Sequence, residues 1–207
     1  MTYLAEPHPR TRTNDMTHPA ETLTHGRVQL RRVRRTDEKT LYRLINESLS
    51  HLRPWMAWVS PEGEHPRAAI ADFLTQAEQN WLDGTAYSYA ILVSDTMIGV
   101  CGLENRLGPD ALEIGYWLHS AHTGHGYATE ATAALITAAF TLPGIDRVQI
   151  WHDAANTRSG GVPRRLGFTR IARQSPPRGP LTPGEIGTDV IWELTRAQKN
   201  DAAGRNI

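Results

Sequence analysis

This sequence has very little cysteine and no excess of either charge. Its 207 residues include one cysteine, Cys101, so neither an internal disulfide nor a metal site made of several thiolates can form. Cys101 lies in an apolar run, and we expect it to be a small core residue in a protein of a reducing compartment. Because 22 Lys and Arg residues balance 22 Asp and Glu residues, no overall field favours DNA or an anionic membrane, although a local basic patch is compatible with this balance.

Long hydrophobic runs are missing as well. No segment approaches the roughly 20 apolar residues that a membrane-spanning helix needs. The first residues are rich in Thr, Pro and His and lack the apolar core of a signal peptide. We therefore expect a cytoplasmic protein that does not associate with membranes. The length suits one well-cored domain, which we place at residues 23–196, between a disordered N-terminal tail (1–22) and a flexible C-terminal tail (197–207).

The hydrophobic periodicity predicts a single α/β domain with the order β-α-α-β-β-β-α-β-α-β-β and a mixed, mostly antiparallel central sheet. Predicted helices, with apolar residues three and four apart, lie at residues 36–49, 66–81, 124–140 and 156–166. Predicted strands lie at residues 27–33, 86–93, 97–104, 111–118, 148–151, 168–172 and 190–194. Short turns separate the second, third and fourth strands, which favours an antiparallel meander.

A run of small residues stands between a predicted strand and a predicted helix, at Gly124, Gly126 and Ala128. Glycine lets the backbone approach a ligand closely, and free N–H groups at a helix N-terminus attract phosphate. No Gly-Lys-Ser/Thr follows, so the run is not a P-loop, and Thr129 stands where the dinucleotide fingerprint has its third glycine. Taken alone, the run predicts either a phosphate-binding turn or only a tight turn into a helix.

Three ordered blocks carry a resemblance to the GNAT acetyltransferases. Residues 113–118 (EIGYWL) and 124–131 (GHGYATEA) resemble the acetyl-CoA-binding core, and residues 156–168 (NTRSGGVPRRLGF) resemble the block that follows it. Residues 52–58 (LRPWMAW) resemble the branch containing RimJ/RimL-type ribosomal-protein N-terminal acetyltransferases. The resemblance implies a GNAT fold, acetyl-CoA as donor without a metal, and transfer to a primary amine. A homodimer would fit the family's habit.

The acceptor implied by the branch is the α-amino group of a protein or peptide. Because the core motifs concern the donor, a small-molecule amine such as an antibiotic, amino sugar, polyamine or biosynthetic intermediate is the alternative. A CoA-binding module without catalysis is a third interpretation. The expected acceptor-binding residues are Trp55, Trp58, Glu113 and Tyr116. An open groove between the Trp55/Trp58 loop and the loop at residues 175–183 would favour peptides, and a closed pocket would favour small amines.

The resemblance also implies how CoA is bound. Backbone amides of residues 124–128 hold the pyrophosphate, the strand edge pairs with the pantetheine arm, and Asn156 hydrogen-bonds that arm. The residues expected to contact CoA are Trp117, Leu118, Thr123, Gly124, His125, Gly126, Tyr127, Ala128, Thr129, Asn156 and Ser159. Thr123 stands where many members carry Arg or Gln, so a cationic phosphate partner is missing. Residues Arg158, Arg164 and Arg165 either contact a CoA phosphate or form a solvated helix face.

The chemistry needs a base, because the attacking amine must be neutral. Glu113 is the first candidate, since apolar neighbours on its strand could raise its pKa toward neutrality. His152 is the second candidate, although a histidine at a strand end is often structural. His119, His122 and His125 are spaced as if for a metal, but no carboxylate joins them and we expect no metal there.

The acid has a weaker signal in the sequence. Many GNAT enzymes protonate the leaving thiolate with a tyrosine, and Pro163 occupies the corresponding position here. Ser159, one turn earlier, is the candidate acid. Two alternatives stay open: a thiolate leaves well without an acid at neutral pH, and Ser159 could simply hydrogen-bond at the start of its helix.

Overall fold

The computed structural model describes residues 18–204, and the side chains of residues 18–201. Eight strands form one sheet in the order β1-β2-β3-β4-β5-β6-β8-β7. The strands are Thr22–His25 (β1), Val28–Arg32 (β2), Ala86–Val93 (β3), Thr96–Glu104 (β4), Ala111–Leu118 (β5), Arg147–Asp153 (β6), Thr169–Gln174 (β7) and Asp189–Thr195 (β8). The helices are Glu38–Asn46 (α1), Leu49–Leu52 (α2), Arg67–Asp83 (α3), Tyr127–Ala139 (α4), Thr157–Arg165 (α5) and Arg196–Gly204 (α6). None of them, within the described residues, is long and apolar enough to cross a bilayer.

Neighbouring strands are antiparallel except for β5 and β6, which are parallel. The predicted mixed, mostly antiparallel α/β sheet is therefore confirmed. Its two faces carry separate apolar cores, because side chains alternate along each strand. Leu112 and Ile114 of β5 share a core with Leu135 of α4, whereas Val100 of β4 shares a core with Leu41 of α1 on the opposite face.

The parallel pair β5 and β6 separates partway along its length. Register pairs join Ala111 to Arg147, Leu112 to Val148 and Glu113 to Gln149, and no later pair follows. Beyond that point β6 stays paired with β8. Within the described residues, the edge of β5 from residue 114 to residue 118 is therefore unpaired on the β6 side, and its backbone groups face the opening between the two strands.

Three of these strands and helices were not predicted from the sequence: β1, α2 and α6. Strand β1 begins at Thr22, where the predicted N-terminal tail ends, α2 follows the first predicted helix, and α6 lies mostly in the predicted C-terminal tail. Strand β1 is mostly exposed and lacks an apolar alternation, so it is fixed by pairing with β2 and not by a local signal. The chain before it also contacts the sheet, since Tyr89 Oη donates a hydrogen bond to Ala20 O (2.9 Å). The prediction of a disordered leader at residues 1–17 lies outside the described residues.

Candidate active site

A cavity of about 990 Å³ opens beside the glycine run and the free edge of β5. Gly124 and Gly126 have φ angles of +81° and +86°, a left-handed conformation that glycine adopts without a steric penalty. Gly126 is the N-cap of α4, so the backbone turns sharply from β5 into the helix. All the residues predicted to contact CoA line this one cavity.

The backbone amides at this turn are available to a ligand. The first N–H groups of a helix have no intrahelical acceptor. Within the described residues, no backbone acceptor lies within hydrogen-bonding distance of the N–H groups of residues 124–128. These amides and the N-terminal end of α4 therefore form an anion-binding turn.

Arg27, in the turn between β1 and β2, contacts the glycine run and the first turn of α4. Arg27 donates to His125 O through Nη2 (2.7 Å), and its backbone N–H donates to Glu130 Oε2 (2.7 Å). Its guanidinium also lies over the Tyr127 ring, 4.7 Å from the centroid. Sequence reasoning missed this support, because β1 itself was not predicted.

A second cavity of about 960 Å³ lies on the face of the sheet that carries α1 and α3. Its walls include six Trp, Tyr or Phe side chains: Trp55, Trp58, Phe73, Tyr116, Trp117 and Trp151. Trp58 is 47% exposed and lies against Trp117, with ring centroids 5.9 Å apart. Six residues line both cavities: Trp55, Met56, Tyr116, Trp117, Asn156 and Ser159. The two cavities therefore meet at β5 and the start of α5.

The two cavities differ in charge. The cavity beside the glycine run is lined by two arginines, Arg158 and Arg165, and by no Asp or Glu of the described chain. The cavity on the other side has five carboxylates: Glu104, Glu113, Asp153, Glu185 and Asp189. Only two arginines, Arg106 and Arg178, accompany them. The first cavity is thus suited to an anion and the second to a cation.

Tyr116 and Ser159 form a hydroxyl pair where the cavities meet. The Tyr116 hydroxyl lies 3.0 Å from Ser159 O and 3.2 Å from Ser159 Oγ. Burial raises the pKa of Tyr116 to about 12, although the hydrogen bond with Ser159 and the charge of Arg165 act in the opposite direction. The helix-start role belongs to Asn156, whose Oδ1 accepts the Ser159 N–H (3.1 Å). The Ser159 side chain is therefore not used as the cap.

Glu113 is buried, 4% exposed, but its surroundings are not the apolar ones expected from the sequence. Arg106 donates to both of its carboxylate oxygens, through Nε (3.0 Å) and Nη2 (2.5 Å). Arg178 Nη2 lies 2.8 Å from Oε1 and 2.7 Å from Oε2. The expectation was wrong because both arginines come from loops whose approach to β5 has no local sequence signal. Glu113 anchors two cationic side chains in the cavity wall.

Glu104, which the sequence analysis missed, is the more accessible carboxylate. It is the register partner of Glu113 on β4, so both side chains lie on the same face of the sheet. Its Oε1 lies 3.9 Å from the point where a Cβ would stand at Gly115. Burial raises the pKa of Glu104; the charge of Arg106 opposes this rise, and that of Glu113 adds to it. Because the side chain is 42% exposed, solvent limits the size of the rise.

His152 has both ring nitrogens engaged. Nδ1 lies 2.7 Å from the carbonyl oxygen of Asp153, and Nε2 accepts the Trp192 indole N–H (3.0 Å). These partners assign the proton to Nδ1. Burial lowers the pKa of His152, partly offset by its bond to the Asp153 carbonyl. A Cβ at Gly160 would come within 2.7 Å of Nε2, so helix α5 covers the ring. The geometry favours the structural interpretation of His152.

Asp153 organises the loop that closes one end of the second cavity. Its Oδ1 accepts the backbone N–H groups of Ala155 (2.8 Å) and Ile186 (3.1 Å). Its Oδ2 accepts those of Gly187 (2.9 Å) and Thr188 (3.0 Å). Burial alone would raise the pKa of Asp153, but these four hydrogen bonds together lower it.

The loop at residues 175–188 also contacts the Trp55/Trp58 loop. Thr182 Oγ1 donates to Pro54 O (2.5 Å), and the Gly184 N–H donates to the same oxygen (3.0 Å). A Cβ at Gly184 would lie 2.6 Å from that oxygen, so only glycine permits the contact. The two loops therefore bridge the cavity at this end. Trp58 and Phe73, 47% and 39% exposed, border it elsewhere.

The three histidines are not gathered at one point, although a carboxylate that the sequence analysis did not foresee, Glu47, contacts one of them. His119 Nε2 lies 3.2 Å from Glu47 Oε2, and the His119 and His122 ring centroids are 5.8 Å apart. His125 instead stacks on Tyr127. In the part of the chain that the structure describes, no group of three or more His, Cys, Asp or Glu could hold a metal ion.

Comparison with known proteins identifies related chains. The chain matches the model of the acetyltransferase (GNAT) domain family over residues 27–169. The ribosomal-protein-serine acetyltransferase of Escherichia coli strain K12 is 29% identical over 146 residues, which make up 68% of this chain and 78% of that protein.

Two solved structures share the fold. One is RimL, a ribosomal L7/L12 alpha-N-protein acetyltransferase in complex with coenzyme A, with a TM-score of 0.77 at 21% identity over 86% of this chain and 99% of that one. The other is the microcin C7 self-immunity acetyltransferase MccE in complex with acetyl-CoA and AMP, with a TM-score of 0.73 at 22% identity over 82% and 92%. They confirm the predicted GNAT fold. The family match and the E. coli relative confirm the predicted acyltransferase class and the resemblance to the RimJ/RimL branch. The chain belongs to the GNAT acetyltransferase family.

Proposed function

We propose that this enzyme transfers an acetyl group from acetyl-CoA to a primary amine, and that the amine is the N-terminal α-amino group of a protein or peptide. One observation carries the proposal: two cavities of opposite charge meet at the unpaired edge of β5. A polyanionic donor suits the arginine-lined cavity, and a cationic amine suits the carboxylate-rich one.

The donor binds along β5. Its pantetheine arm lies on the free edge at Trp117 and Leu118 as an added strand, which is how extended ligands commonly pair with a sheet edge. Its pyrophosphate meets the amides of residues 124–128 at the start of α4. The thioester then stands near Tyr116, where the two cavities join. Fixing both substrates at this point supplies much of the acceleration.

The amine approaches from the face of the sheet that carries Glu104. An ammonium group has no lone pair, so a base must remove a proton before nitrogen attacks the thioester carbon. Glu104 takes this proton, directly or through one water. Arg106 Nη1 also pairs with Glu104, at Oε2 (2.5 Å). Glu104 is preferred over Glu113 because both oxygens of Glu113 are held by Arg106 and Arg178. The new C–N bond forms, the C–S bond breaks, and a second proton from nitrogen passes to solvent.

The leaving sulfur is stabilised by Ser159. Tyr116 donates its proton to Ser159 O, so in its 3.2 Å contact with Tyr116 the Ser159 hydroxyl is the donor. This hydroxyl turns from Tyr116 Oη to the sulfur as the thiolate departs. Full proton transfer from Tyr116 is unfavourable, because its pKa is about 12 and that of a thiol is about 8.5. The pair therefore acts by donating a hydrogen bond to the departing thiolate, which then takes its proton from solvent.

The acceptor class rests on the RimJ/RimL resemblance and on the E. coli relative, whose name states a ribosomal protein serine as its target. One observation favours the small-molecule alternative. The bridge from Pro54 to Thr182 and Gly184 closes one end of the acceptor cavity, whereas a peptide needs an open path. The exposed Trp58 and Phe73 border a side from which a peptide terminus could enter.

An acceptor screen tests the proposal. Labelled acetyl-CoA is offered with N-terminal peptides beginning with Ser or Ala, the same peptides with a blocked N-terminus, aminoglycosides and polyamines. We expect label in the free peptides and none in the blocked peptides. Label confined to aminoglycosides or polyamines would replace the peptide acceptor by a small amine, and failure to bind acetyl-CoA at all would refute the donor assignment.

A further inference from the structure

Arg165, the last residue of α5, is held in an unusual position beside the glycine run. Its side chain is exposed but folds back along its own helix. A Cβ built at Gly161 would stand 3.0 Å from Arg165 Nη1, so the guanidinium uses the space that a side chain at residue 161 would occupy. From there Nε and Nη2 donate to Thr129 Oγ1 (3.2 and 3.0 Å) in the first turn of α4.

This guanidinium keeps unused donors and an uncompensated charge. It has five N–H groups, and the contacts with Thr129 occupy two of them. Within residues 18–201, no carboxylate forms an ion pair with Arg165. The contrast with Arg27 is informative, because Arg27 contacts the glycine run at His125 O but is paired with Glu130. Arg165 is thus a free cation on the wall of the donor cavity.

Arg165 supplies a positive charge that the loop before α4 lacks. Thr123 precedes the glycine run and brings no positive charge to the turn. The amides of residues 124–128 open onto the same cavity that Arg165 lines. A diphosphate group bears charge that both kinds of donor bind, and guanidinium suits its paired oxygens.

We propose that Arg165 is a phosphate-binding residue that contacts the pyrophosphate of the donor from the α5 side, together with the amides at the start of α4. Thr129 and Gly161 fix its position. This inference rests on the proposed use of acetyl-CoA and is independent of the acceptor. Arg164, its neighbour, points elsewhere: its Nε donates to Gly160 O (3.2 Å), and it does not line the donor cavity.

Titration calorimetry with CoA and with 3′-dephospho-CoA tests the assignment without any acceptor. Arg165→Ala should weaken the binding of both ligands by the same factor, about tenfold, because one charge-assisted contact is lost in each case. Arg164→Ala, which removes an equal charge from the same helix, should bind both ligands within about twofold of the wild type.

A second variant separates position from charge. Gly161→Ala keeps the arginine but shifts its guanidinium by a few tenths of an ångström, and alanine is favourable inside a helix. We expect it to weaken CoA binding by less than Arg165→Ala does, while circular dichroism shows a folded protein. Equal affinities for the Arg165→Ala and Arg164→Ala variants would reduce Arg165 to a link between two helices and overturn the proposal. A loss seen with CoA and absent with 3′-dephospho-CoA would also overturn it, by moving the contact to the 3′-phosphate. A wild type that binds neither ligand would instead refute the donor assignment.

Discussion

Replacing Asp153 by asparagine should release the loop that borders the acceptor cavity. Each carboxylate oxygen accepts two backbone N–H groups, and the two on Oδ2 come from Gly187 and Thr188. The asparagine side chain would keep one oxygen but would turn an NH₂ group toward the other pair of donors. The substitution changes neither the volume nor the backbone preference greatly, so its effect reports on these hydrogen bonds.

The size of the effect follows from the bonds that are lost. A hydrogen bond to a charged group contributes about 1.5–3 kcal/mol, and two of the four are broken. Asp153 is only 4% exposed, so water does not replace them fully. We expect Asp153→Asn to lower the free energy of unfolding by about 3 kcal/mol, or the Tm by about 6–12 °C. Asp189→Asn is the matched control, because Asp189 accepts one backbone N–H, from Arg178 (2.9 Å), and should cost about 1 kcal/mol.

The pH dependence gives a second measurement. Because the folded-state pKa of Asp153 is lowered, its charge stabilises the fold above the unfolded value of about 3.9, and this contribution is lost as the pH falls through the folded value. Urea unfolding should therefore show the wild-type advantage over Asp153→Asn at pH 7 and its decline below about pH 4. Hydrogen exchange should quicken at the amides of Ile186, Gly187 and Thr188, and KM should rise for the amine more than for acetyl-CoA. Unchanged exchange at these amides together with wild-type unfolding would refute the reasoning.

Three further predictions concern the chemistry. Gly124→Asp should abolish CoA binding, measured by calorimetry, because Gly124 faces the donor cavity. Gly144→Asp is the control and should not affect binding: Gly144 has a similar φ near +80° and open space around it, but it does not line that cavity. An equal loss of binding in both variants would attribute the effect to backbone strain. Glu104→Gln should lower kcat on the order of 100-fold. It should also remove the acidic limb of the pH–rate profile, because a base with a raised pKa becomes active only above that pKa. An unchanged acidic limb would exclude Glu104 as the base. Ser159→Ala should lower kcat without changing the affinity for CoA. Tyr116→Phe should have a smaller effect on kcat, because the Tyr116 hydroxyl only orients Ser159. A wild-type kcat in Ser159→Ala would show that the thiolate leaves unaided.

The features that the sequence predicts well are local. The glycine run, the strand before it and the helix predicted at residues 156–166 each depend on residues within one turn or one strand, where conformational preference and hydrogen bonding act over short distances. Glu113 was correctly located on its strand, but its partners were not foreseen. Arg178 is 65 residues away along the chain, on a loop that is anchored by Asp153 at Gly187 and by Asp189 at the backbone of Arg178 itself.

Arg165 and Glu104 show a second limit of sequence reasoning. Both are charged residues in polar surroundings, and nothing in their immediate sequence separates them from a solvated surface. Each of these two side chains occupies space beside a glycine, where a larger residue would crowd it. Gly161 leaves room for the guanidinium, and Gly115 leaves the face of β5 open beneath the Glu104 carboxylate. The gap at Gly115 is seen only when the strand beside Glu104 is known. Gly161 lies one turn before Arg165 on the same helix, and its role is seen only when α4, which contributes Thr129, is known.

Side chains alternate along β5, so one residue can remove the proton from the amine on one face of the sheet while another residue stabilises the leaving sulfur on the opposite face. Gly115 and Tyr116 are consecutive, so they face opposite sides of the sheet. Glu104 lies over the Gly115 side, and Ser159 contacts Tyr116 on the other. A thioester held at the edge between them would receive the amine from one face and lose sulfur toward the other. The proton taken from nitrogen and the hydrogen bond given to sulfur then belong to separate groups. The engaged nitrogens of His152 are consistent with this division, since no proton has to pass through it.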